Sequence, residues 1–121
     1  MHISWNFLDK RRATEDAVRA FDAMDFILKR APEKIRGADS DSLSEIDVLQ
    51  ERYRQAEEYM EWFKPAWEQL DDDEKFVLDV FYNGECAVEQ IMDRFHVVRK
   101  TAYNRKNDAL NRLTCLLYGK V

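Results

Sequence analysis

Apolar side chains recur at helical intervals along most of the chain. Ala17, Phe21, Met24 and Leu28 are spaced 4, 3 and 4, one stripe of an amphipathic helix. The spacing predicts a helix from about Thr14 to Arg30, with Thr14 as N-cap, Glu15 and Asp16 in the first turn and Pro32 ending it. "GADSDS" reads as a loop. Ile46, Leu49, Tyr53, Ala56, Met60, Phe63, Trp67 and Leu70 then alternate at 3 and 4, an unbroken heptad seam. The seam stays in phase across Pro65, which predicts a kink near Lys64 or a fresh helix start there. The expected partner of the seam is the first helix, folded back as an antiparallel hairpin. A homodimer through the same seam is the alternative, and Trp62 leaves an aromatic surface to account for.

The remainder is also helical. In "LDDDEKFVLDVFY", Asp71 and Glu74 have capping-box spacing, and Phe76, Val77, Val80 and Phe81 form an inner face. The Asp run suits the positive end of a helix dipole, so it reads as a cap rather than a metal site. "NGE" is a turn. "AVEQIMDRF" is a short helix with Val88, Ile91, Met92 and Phe95 inward, "HVVR" a connector, and Arg99–Tyr118 a final helix closed by Gly119. No strand-like alternation remains, so the fold class is all-α: an N-terminal antiparallel helical hairpin over 1–69 and a C-terminal three-helix unit over 70–121.

Charge changes the picture. Residues 1–36 carry 8 basic and 6 acidic groups, residues 37–93 carry 4 and 17, and residues 94–121 carry 7 and 1, within a chain of net −5. A basic module follows an acidic one. On the last helix, Ala102, Ala109, Leu113 and Leu116 share one face, while Lys100, Asn104, Asn107 and Asn111 lie roughly opposite, with Tyr103 beside them. Two helices separated by about four residues, the second basic, is the helix-turn-helix pattern. Asn pairs bidentately with adenine, and Lys suits guanine or phosphate. Arg99 and Lys100 sit at the end that enters the major groove in this motif. Arg94, Arg105, Lys106 and Arg112 are expected to flank the groove as phosphate clamps. Snorkelling over the core accounts equally well for Arg105 and Lys106.

Residues 70–117 resemble region 4 of bacterial sigma factors. Leu70, Glu74, Val77, Leu78, Gly84, Ile91, Phe95, Val97, Thr101, Arg105, Ala109, Leu110 and Leu113 fall on that family's pattern. "QAEEYMEWFKPAW" and "YNRKNDALNRLTCLLYG" are similar to small phage or prophage regulators with sigma-like C-termini. The resemblance implies a DNA-binding transcriptional regulator. Gln90, Met92, His96, Val98 and Ala102 depart from the pattern. His96 replaces the turn Gly, which predicts an unusual backbone angle there. Val98 replaces the capping Ser, which predicts a final helix without an N-cap side chain. The chain is too short for the parts of a full sigma factor that bind the core polymerase or melt promoter DNA.

Other chemistry is thin. Cys86 and Cys115 form no CxxC pair, and His2 and His96 lie at no zinc-like spacing from them, so reduced structural thiols are expected. No nucleophile–base arrangement, phosphate-cradling Gly loop or metal set is present, so neither an enzyme nor a cofactor is expected. No signal core or membrane-length apolar run occurs. A cytoplasmic protein binding double-stranded DNA is the expectation, with RNA polymerase or a second copy as further partners. The alternatives are a protein-interaction module acting on RNA polymerase and a small terminase-like packaging subunit.

Overall fold

The computed structural model describes residues 6–37 and 43–119. Its five helices are α1 (Phe7–Arg36), α2 (Leu43–Glu68), α3 (Asp72–Asn83), α4 (Ala87–Phe95) and α5 (Arg99–Tyr118). The described residues contain no strand, so the fold is all-α. The expected loop lies, apart from Gly37, outside the described residues.

The first helix begins a full two turns before Thr14. Asn6 caps it, with the Asp9 N–H donating to Asn6 Oδ1 at 2.9 Å. Thr14 is not a cap but a fully buried interior residue, and its hydroxyl donates to the Lys10 carbonyl at 2.9 Å. The stripe of Ala17 and Phe21 already placed Thr14 in phase. Nor does Pro32 stop α1, which continues to Arg36. Ala31 is buried and Ile35 half-buried, so packing on either side of the proline outweighs its missing donor. Pro65 likewise lies inside α2. The carbonyl it cannot serve belongs to Glu61, an exposed residue, where water can take the bond.

The chain divides into two compact units, one of residues 20–64 and one of residues 65 onward together with the segment through Arg19. This differs from the expected division after residue 69. The beginning of α1 belongs with the C-terminal helices because Asn83 Nδ2 donates to the Val18 carbonyl at 3.2 Å and Arg19 lies 5.1 Å over the Tyr82 ring.

In the 20–64 unit, Phe63 is fully buried, 5.7 Å from Phe21 and stacked at 5.2 Å on Tyr59. Ala31 shares a hollow with Leu49. The two helices therefore pass each other in opposite senses, with the heptad positions turned inward.

In the other unit, α5 packs on α3 and α4, and α3 on α4. Val77, Val80, Ile91 and Ala102 make the core, flanked by Phe76, Phe81, Val88, Met92, Phe95 and Val97. Both bonds of the Asp71–Glu74 capping box form. Gly84 follows α3 where a Cβ would stand 2.9 Å from the Val80 carbonyl oxygen, so a larger residue would push the turn open.

Candidate nucleic-acid interface

The α4–α5 junction is built from three residues with separate tasks. His96 closes α4 in the left-handed region, φ 54° and ψ 48°, and its N–H donates to the Met92 carbonyl. Val97 turns inward onto the core, its N–H also donating to Met92 O at 3.2 Å. Val98 is extended and starts α5 without a side-chain cap, while its carbonyl accepts from the Ala102 N–H at 3.0 Å. The unusual angle falls on His96, where one was expected. Ala102, 1% exposed, then lets the first turn of α5 sit close against Val77, Val80 and Ile91.

That seating leaves the start of α5 open. Arg99, Lys100, Tyr103 and Asn104 are all exposed. Tyr103 meets the Phe81 ring edge-on at 6.1 Å, which fixes the ring while 40% of the residue stays accessible. Arg99 approaches Glu89 at 3.3 Å, a solvent-exposed pair that other anions can displace. Lys100 and Asn104 have no hydrogen-bond or ion-pair partner among the described residues.

The second half of the face behaves differently. Asn107 Oδ1 accepts a hydrogen bond from Arg11 Nη2 of α1. Lys106 is half-buried, 4.6 Å over the Phe81 ring. Its pKa is lowered by burial and by Arg11, against the pull of Glu15. Asn111 is half-buried, its Oδ1 sealed from solvent without a hydrogen-bond partner. Tyr82 stands in the same region, its phenol pKa raised by burial and then by Glu15. Asn107 therefore faces α1 rather than open solvent, and the Asn111 carbonyl oxygen is withdrawn from solvent. The buried arc of α5 is also wider than the expected stripe: Leu110 and Thr114 are inside with Ala102, Ala109 and Leu113, whereas Leu116 is 41% exposed.

The flanking cations are mostly engaged. Arg94 stacks 4.2 Å over Phe76 and reaches Asp73 at 3.7 Å. Arg105 lies 4.2 Å over Phe95, the snorkelling arrangement. Arg112 pairs with Glu74 and donates to the Gln69 carbonyl at 3.1 Å. The first two turns of α5 combine exposed cations, an amide and an aromatic ring on a firmly seated backbone. Compared with family models, curated proteins and solved structures, the chain matches none.

Sequence reasoning missed Arg11. The signal was present, because Arg11, Glu15 and Val18 follow one another at helical spacing once α1 is extended back from Thr14. Among the described residues, no group of His, Cys, Asp and Glu side chains could hold a metal ion. No helix there is long and apolar enough to cross a membrane.

Proposed function

We propose that the protein is a sequence-specific DNA-binding transcriptional regulator in which α4 and α5 act as a helix-turn-helix. The observation that carries this reading is the open patch of Arg99, Lys100, Tyr103 and Asn104 at the start of α5. In this motif the N-terminal residues of the second helix meet base edges. Asn104 would read adenine through its amide, Arg99 and Lys100 would take guanine or phosphate, and Tyr103 would donate to a phosphate oxygen. The helical hairpin of α1 and α2 would carry partner contacts, RNA polymerase or a second copy.

The open patch spans about six residues of helix, roughly 9 Å. At 3.4 Å per base pair that reaches about three base pairs. One copy alone therefore reads a short element, and the acidic remainder of the chain adds repulsion rather than affinity.

The test is selection of bound duplexes from a random pool by the full-length chain, followed by affinity measurements on the winning site. Lys100→Ala should weaken all duplexes and flatten the salt dependence if its contact is to phosphate. Asn104→Ala should relax preference at one position. Wild-type binding by both variants would overturn this docking. Absence of any selected sequence, with or without RNA polymerase, would overturn the DNA reading and favour a protein-interaction module.

A further inference from the structure

One side chain at the edge of the open patch has no place among its hydrogen-bonding groups. Val98, directly before Arg99 and Lys100, is 66% exposed. Its neighbour Val97 is turned inward onto the core. The backbone sets that alternation, because Val98 is extended at φ −79° and ψ 164° and successive extended residues point to opposite sides. The Val98 carbonyl accepts from the Ala102 N–H at 3.0 Å, and Ala102 is buried in the core of the same unit. A β-branched side chain on so restrained a backbone has few rotamers. The isopropyl group is therefore a firm apolar knob at the leading end of α5.

A lone exposed valine is ordinary on most surfaces. This one occupies the N-cap position of α5, where Ser, Thr, Asp or Asn would serve the open N–H groups and valine is among the least favoured residues. No side-chain hydrogen bond takes the place of that cap. The knob also stands beside cations and an amide, at the end of the helix that enters the major groove on the DNA reading. The base edges in that groove present donors and acceptors, and the apolar group among them is the C5-methyl of thymine. An isopropyl group gains nothing from a donor or an acceptor, but it gains contact area from a methyl.

We propose that Val98 packs on a thymine methyl in the major groove, so that the chain distinguishes thymine from uracil at one position of its site. The proposal deepens the DNA reading and rests on it. Asn104 follows Val98 by six positions, about 9 Å of helix. The thymine therefore belongs to a different base pair from the adenine assigned to Asn104, up to about three pairs away. The amide reads its edge by hydrogen bonds and the isopropyl group reads by shape, and both contacts select A·T pairs.

The test uses the full-length chain and the duplex it selects from a random pool. Each thymidine of that duplex is replaced in turn by deoxyuridine, which keeps every hydrogen-bonding group and removes only the methyl. One replacement should weaken binding about three- to fivefold, the worth of one buried methyl. Val98→Ala should bind the thymine and uracil duplexes equally. Val98→Ser supplies the missing cap, so it should keep or raise the melting temperature while losing the thymine preference, which separates recognition from folding. Asn104→Ala should retain that preference. If no thymine responds to uracil, or if Val98→Ala still prefers thymine, the proposal is overturned while the selected duplex leaves the DNA reading standing. If no duplex is selected at all, both fall together.

Discussion

The polar side of α5 has two halves of similar composition. The first offers Arg99, Lys100, Tyr103 and Asn104 to solvent. The second holds Lys106 and Asn107 beside α1, with Arg11 hydrogen-bonded to Asn107 and Lys106 over an aromatic ring, and keeps Asn111 half-buried. Amides and cations one or two turns apart on one helix thus stand in opposite settings, one open to solvent and the other drawn inward. A helical wheel treats them as equivalent. What separates them is a segment about a hundred residues earlier in the chain.

Several substitutions would break that contrast. Arg11→Ala has the largest expected effect. It should lower folding stability by up to about 3 kcal/mol in urea titration, because it removes a charged hydrogen bond and strands a partly buried amide. Duplex affinity of the folded fraction should hardly change. Asn104→Ala is the mirror image. On the proposed reading it costs about 1–3 kcal/mol of discrimination at one base pair, with an unchanged melting temperature. If Arg11→Ala instead abolished recognition while Asn104→Ala unfolded the chain, the assignment of the halves would be reversed.

Asn111→Leu sharpens the contrast further. It removes a sealed carbonyl oxygen that lacks a protein partner, so it should leave stability within about 1 kcal/mol of wild type or raise it. The smallest effect is on the Lys106 proton. Burial and Arg11 hold its pKa below the ordinary lysine value of 10.5, so the unfolded chain keeps that proton to higher pH than the folded one. Its contribution to stability therefore grows as pH rises from the lowered pKa towards 10.5. An NMR titration of the Lys106 side chain would follow the shift, and Arg11→Ala should move it back upward.

Much of this was readable from the chain where the signal is local. Asp71 and Glu74 announce a capping box by spacing alone. The heptad seam of α2 survives Pro65 because packing and an exposed carbonyl tolerate one missing donor. The unusual backbone angle expected at His96 is there, in the left-handed region. The misses are of a different kind. Thr14 and Pro32 looked like helix boundaries because local propensity puts them there, and tertiary burial of Thr14 and Ala31 overrode it. Cys86 adopts φ 51° at the start of α4 with nothing in its residue type to indicate it. At the candidate interface, periodicity found α5 and its polar side. The division of that side depends on Arg11 meeting Asn107, 96 residues apart, which no short-range pattern encodes.

The joining of the segment through Arg19 to the helices after Pro65 has a consequence for how the protein is made. The beginning of α1 emerges from the ribosome well before Tyr82, Asn83 and Asn107, on which it docks. Thr14 and Val18 must stay exposed until those residues are made, and closure of so long a loop belongs late in folding. Premature termination before the end of α3 would release a nascent chain whose first helix lacks these docking residues.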